Sequence, residues 1–185
     1  GTLRPEDYSS VAIADKETAY QAVRHLIDNG HRRIATLVTC QDDCSISQLR
    51  YEGYLQALTE AGIEPDDSLV IRTGSFNIQG AYRAMQQALA QGSSFTAVFA
   101  ISDNMAIGAM RALRETGRSV PEDCSVIAID GIEVSDYIDP PLTTLCQPME
   151  EMGRHSVRIL LDMVEGLHGN RHEVLPTGRR RGGSV

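Results

Sequence analysis

Residues 96–113 read TAVFAISDNMAIGAMRAL, and this stretch decides the fold. Its first half, Thr96 to Ile101, is an unbroken apolar run rich in β-branched and aromatic side chains, the pattern of a strand covered on both faces of a parallel sheet. Ser102, Asp103 and Asn104 follow at once, and each has a side chain able to accept from the free N–H groups of a helix start. Ala106, Ala109, Met110 and Leu113 then recur at helical spacing. The stretch is one strand-to-helix unit with no loop between its halves. In an open α/β sheet, ligands bind beyond the carboxyl ends of the strands. Here that end carries a hydroxyl and a carboxylate, and Asp103 reads either as a helix cap or as a ligand group.

The same alternation extends toward the N-terminus. Ser10 to Ala14 is a brief apolar run ending at Asp15, the N-cap of a helix that puts Ala19, Ala22, Val23, Leu26 and Ile27 on one face and stops at Asn29-Gly30. Ile34 to Val38 is the next strand and completes a βαβ unit. Ser45 and Gln48 form a capping box for a helix carrying Leu49, Leu55, Leu58 and Ala61, ended by Gly62. Arg50 is placed in the first turn of that helix, where a cation opposes the helix dipole. Either it is a plain surface residue or it has a task elsewhere. Ser68 to Arg72 is the third strand, and Asn77 caps a helix through Ala81, Met85, Ala88 and Leu89. Between them Phe76 suits stacking on a flat ligand or plugging the core.

Toward the C-terminus, Cys124 to Asp130 is a fifth strand with a second carboxylate at its end, which would put Asp103 and Asp130 on one edge of one sheet. Leu142 to Cys146 is a further strand after Pro140-Pro141. Pro148 then opens a long amphipathic helix with Met149, Met152, Val157, Leu160, Leu161 and Val164 on its apolar face. Glu173 to Leu175 reads as a short edge strand. The remainder, with Arg179-Arg180-Arg181, reads as a frayed tail.

The 185 residues are 42% hydrophobic and 23% charged, an ordinary globular composition long enough to bury a real core. No apolar run is long enough to span a bilayer. A formal net charge of −8 argues against this segment itself wrapping nucleic acid. Cys40, Cys44, Cys124 and Cys146 lack zinc spacing. A Cys40–Cys44 disulfide stays open, with reduced thiols in a cytoplasmic protein the favoured reading. There is no phosphate-binding glycine motif and no nucleophile with a base. His25, His31, His155, His168 and His172 have no metal-binding spacing, so no catalytic, cofactor or metal site is expected. Gly1-Thr2-Leu3 is not a natural start, and the sequence reads as a piece of a longer chain.

Five segments carry a family resemblance: His25 to Ala35 within Asp15 to Leu37, Arg50 to Leu58, Ser102 to Ala109, Val120 to Ile127, and Pro140 to Thr144 with Gln147-Pro148. In this order and spacing they resemble the effector-binding core of the lactose-repressor/galactose-repressor (LacI/GalR) family of transcriptional regulators, over about Ser10 to Leu175. The resemblance implies an α/β, periplasmic-binding-protein-like (type I) fold with parallel sheets flanked by helices in two lobes. It divides the chain into a partial N-terminal lobe, residues 1–41 with 146–167 returning to it, and a C-terminal lobe, 42–145 with 168–185. It also implies a small effector held between the lobes, usually a sugar and sometimes a purine or nucleoside, a homodimer, and a helix-turn-helix headpiece ahead of the core that binds operator DNA. Carried over by position, the ligand-binding residues are Arg50, Phe76, Ser102, Asp103 and Asp130, and Ile107 and Tyr137 are dimer contacts. Ser102 stands where the family usually has Asn, a shorter side chain with a different hydrogen-bonding pattern. The headpiece and the first units of the N-terminal lobe have no counterpart in this sequence, which leaves strand edges uncovered. The alternative reading is a periplasmic sugar-binding protein of an ABC transporter; an enzyme is not expected.

Overall fold

The computed structural model describes residues 8–39, 45–167 and 169–185. In chain order the elements are β1 (Ser10–Ile13), α1 (Asp15–Asp28), β2 (Ile34–Thr39), α2 (Ser45–Glu60), β3 (Val70–Thr73), α3 (Ile78–Ala90), β4 (Ala97–Ala100), α4 (Asp103–Glu115), β5 (Ser125–Asp130), β6 (Thr143–Cys146), α5 (Met149–Val164), β7 (His172–Leu175) and β8 (Gly178–Arg180). They fall into two compact units, Gly1–Ala14 with Gln147–Gly178, and Asp15–Cys146 with Arg179–Val185.

The larger unit is built on a six-stranded sheet in the order β3-β2-β4-β5-β6-β8, and the pairs β2/β3, β2/β4, β4/β5 and β5/β6 are all parallel. Every residue of β2 and β4, and of β5 as far as Ile129, is buried. A strand can be buried at consecutive positions only if both faces of the sheet are covered, which is why these segments are continuous apolar runs. Two helix pairs supply the cover, α1 packed on α2 and α3 packed on α4. Both pairs rely on one glycine each. A Cβ on Gly53 of α2 would lie 2.2 Å from the Lys16 carbonyl oxygen of α1, and one on Gly108 of α4 would lie 2.3 Å from the Ile78 carbonyl oxygen of α3.

Within the larger unit β2 is hydrogen-bonded on both sides and α1 packs on the sheet, so both belong with the strands that follow them. The expected frayed tail is corrected. Strand β8 lies beside β6, and Ser184 is fully buried beyond it. The Ser184 hydroxyl accepts from the Thr143 amide at 2.8 Å and donates to the Val126 carbonyl at 2.6 Å, while its own carbonyl accepts from the Val126 amide at 2.7 Å. The C-terminal residues therefore close one margin of the sheet. The Cys40–Cys44 pair, His168 and the side chain of Ser45 lie outside the described residues. The Gln48 amide donates to Glu52 one turn on.

In the smaller unit β1 and β7 form a two-stranded parallel sheet, Ser10 opposite His172 and Ile13 opposite Leu175, with α5 packed on β1. The apolar stripe of α5 is present as expected, but only Ile159 of it is buried; Met149, Val157, Leu160, Leu161 and Val164 are exposed. Among the described residues no helix is long and apolar enough to cross a membrane.

Two glycines in helices predict opposite outcomes. Gly108→Ala should lower the stability by about 1–3 kcal/mol, because the obstructing atoms are helix backbone and cannot swing aside. Gly153→Ala in α5, where a Cβ meets nothing within 4 Å, should raise it by about 0.5–1 kcal/mol through helix propensity. Urea unfolding of the two variants beside the parent checks both signs.

Candidate functional site

The carboxyl edge of the large sheet is organised by two charged side chains that are almost wholly withdrawn from water. The first is Arg50, 4% exposed. It is the sixth residue of α2, one turn further in than the sequence placed it, so the helix dipole bears on it little. What explains it is its partners: Nε donates to Asp15 Oδ1 at 2.7 Å, and Nη1 donates to the Ile101 carbonyl and to Asp130 Oδ1 at 3.3 Å. Asp15 opens α1, Ile101 follows β4 and Asp130 ends β5, so one guanidinium ties three segments together. Two carboxylates beside it offset the cost of burying the cation.

Asp130 is the group of this set that remains open to solvent, with 24% of its side chain exposed. Its backbone has φ +138°, a conformation that a residue with a Cβ seldom adopts and that costs about 1–3 kcal/mol. Gly131 follows at φ +77°, and a Cβ there would sit 2.6 Å from Cys146 Sγ. The chain thus turns sharply at the strand end, against its neighbour β6, where strain is commonly associated with a functional role.

The second withdrawn charge is Asp103, 0% exposed. Its Oδ2 accepts from the amides of Gly131 and Ile132, both at 2.9 Å, and from the Ser135 hydroxyl at 2.8 Å; Oδ1 accepts from the Thr144 hydroxyl at 2.6 Å. Burial pushes its pKa upward, and the bonds from Thr144, Ser135 and Ile132 pull it back. Four donors occupy the acceptor capacity of one carboxylate. Asp103 holds the loop after Asp130 through these bonds, and the helix cap is Ser102, whose hydroxyl accepts from the Met105 amide at 3.4 Å. Arg50 and Asp130 are brought into direct contact, and Ser102 and Asp103 are both buried.

Phe76 is half-buried in the exit from β3. Ile107, half-buried on α4, and Tyr137, 78% exposed, line one depression together with Met110, Arg111 and Arg114. A depression of about 580 Å³ lined by Arg114, Arg118, Glu122 and Asp139 contains no strand end, and Arg114 is already bonded there to the Asp139 carbonyl. Sequence reasoning missed Asp15 as the partner of Arg50, although an acid directly after an apolar run is the same signal that singled out Asp103 and Asp130. It also missed Ser135, Thr144 and Arg180, for which no local signal exists.

Residues 23–185 match the family described as periplasmic binding protein-like domain. The chain belongs to that family. This periplasmic-binding-protein-like domain is 39% identical over 159 residues to the HTH-type transcriptional repressor CytR of Escherichia coli strain K12, covering 86% of the chain and 46% of that protein. It is 41% identical over 161 residues to the HTH-type transcriptional regulator CelR of Thermobifida fusca, covering 87% and 47%. Among solved structures, a transcriptional regulator CelR–cellobiose complex superposes with a TM-score of 0.92 at 38% identity, over 99% of this chain and 56% of that one. A LacI family regulator from Enterococcus faecium with bound ribose gives 0.87 at 34%, over 96% and 65%. These findings show the LacI-type effector core and the type I α/β fold expected from the sequence. The chain spans about half the length of the curated relatives it matches.

If Asp103 shapes the loop, its removal is a matter of stability. Asp103→Ala strands two part-buried amides and two buried hydroxyls and should cost about 2–5 kcal/mol. Asp103→Asn, which keeps acceptors for most of them, should cost roughly half as much. Denaturant unfolding of both variants checks this; Asp103→Ala as stable as the parent would return the residue to the role of a free ligand group.

Proposed function

We propose that this domain binds a small sugar effector and that, in a regulator of the LacI type, effector binding modulates the affinity for operator DNA. The observation that carries the reading is the Arg50–Asp130 pair at the carboxyl edge of the sheet. It sets a fixed cation beside a partly exposed carboxylate, a donor and an acceptor a few ångströms apart, which suits adjacent hydroxyls. Each charge-assisted hydrogen bond of this kind contributes about 1.5–3 kcal/mol. Phe76 offers the apolar surface that a sugar ring or a base also requires. Cellobiose and ribose in two structural neighbours support a sugar over the purine or nucleoside alternative. The relatives named above are regulators rather than enzymes or transport proteins, which disfavours the periplasmic transport alternative.

Effector binding biases such a regulator only by its differential affinity for the two states it connects. DNA contact is assigned to a helix-turn-helix headpiece and not to this segment, whose net charge of −8 repels phosphate. The working environment is the cytoplasm, where the free thiols of Cys124 and Cys146 stay reduced. The assembly is a homodimer whose contact includes Ile107 and Tyr137.

Thermal unfolding in the presence of a panel of mono- and disaccharides and nucleosides tests the site. At least one sugar should raise the melting temperature of the parent, and Asp130→Ala, measured against its own ligand-free melting temperature, should lose that rise while still unfolding cooperatively. A parent that responds to no sugar, or an Asp130→Ala protein with the full response, overturns the assignment. Sedimentation tests the dimer: Ile107→Glu should shift the protein to monomer, and an unaltered dimer removes Ile107 from the interface.

A further inference from the structure

The three consecutive arginines near the C-terminus have no part in the function described so far, yet one of them reaches the loop that follows Asp130. From β8, Arg180 Nη2 donates to the Ile132 carbonyl at 2.9 Å and Nη1 to the Gly131 carbonyl at 3.4 Å, and Nε lies 2.8 Å from Asp136 Oδ1 as an ion pair without hydrogen-bond geometry. The same two residues give their N–H to Asp103. A cation takes the carbonyls of Gly131 and Ile132, and a buried carboxylate takes their amides.

We infer that Arg180 is a positioning residue for the effector site: with Asp103 it clamps residues 131–136 between opposite charges and so holds the Asp130 carboxylate against Arg50. The strained φ of +138° at Asp130 is the reason a clamp is needed, since a residue in that conformation relaxes unless its neighbours are fixed. A planar guanidinium suits the task because its fork reaches two carbonyls at once in a fixed geometry while its charge lies against a carboxylate, a placement an ammonium does not reproduce. Strand β8 is thereby a lever on effector affinity from outside the site. This inference rests on the assignment of Asp130 to the effector.

The experiment separates the two. Amide hydrogen exchange followed by NMR should show Gly131 and Ile132 exchanging about tenfold faster in Arg180→Ala than in the parent, the loss of roughly one charge-assisted hydrogen bond. The amides of Val126 and Thr143, held by Ser184, should stay unchanged, and Arg180→Lys should recover part of the protection. Calorimetric titration with cellobiose and with ribose should show binding weakened about tenfold by Arg180→Ala in the parent but by far less in an Asp130→Asn background, which keeps one acceptor oxygen and a weakened but measurable affinity. Equal weakening in both backgrounds means that Arg180 only supports the sheet margin and overturns the inference. Unchanged exchange at Gly131 and Ile132 overturns it whatever binds. Faster exchange in a protein that binds no sugar supports the clamp and removes the effector assignment instead. Should Arg180→Ala not fold, Asp136→Asn removes the carboxylate part of the clamp alone and is read on the same amides with the same two outcomes.

Discussion

A carboxylate with no access to water is tolerated only where donors surround it, and Asp103 is the point from which the working edge of this domain is laid out. Two backbone amides and two hydroxyls must converge on it from the loop after β5 and from β6. Satisfying that one group fixes the path of residues 131–135, and the path fixes the end of β5. Arg50 completes the arrangement from the other side by holding Asp15, Ile101 and Asp130 together. The outcome is graded exposure: a closed carboxylate beneath, a nearly closed guanidinium beside it, and the open carboxylate of Asp130 at the surface. Rigidity at the open group is inherited from the two closed ones.

Much of this architecture could be read from residues alone because the sheet is covered on both faces. Ile34–Thr39 and Ala97–Ala100 had no freedom to alternate, so they stand out as apolar runs, and Asn77 and Ser102 announce helix starts with side chains that do bond the expected amides. The family of the domain was legible too, in five short segments whose order matters more than any one of them.

What was not legible depends on partners distant in sequence. Gly178-Arg179-Arg180 has the composition of a loose tail, and nothing in it specifies a strand; the place beside β6 does. The sheet that Ile34–Thr39 joins is hidden for the same kind of reason, since the run looks the same in either sheet and only its pairing with β3 and β4 decides. Arg50 looked misplaced within its own helix because the acids that justify it stand 35 and 80 positions away. Asp103 was correctly marked as unusual, but its sequence neighbours could not tell whether donors or a ligand would meet it.

The pairing of β1 with β7 also has a consequence for how the chain is made. Ser10 leaves the ribosome 162 residues ahead of His172, its partner in the small sheet. At ordinary translation speeds that is a wait on the order of ten to thirty seconds. During it the strands of the large sheet as far as β6 are synthesised and can pair, and α5 emerges with its apolar stripe before β7 exists. Among the described strands β1 is the one that waits longest for its partner, so its β7-facing edge is the one open longest to pairing with another chain during synthesis.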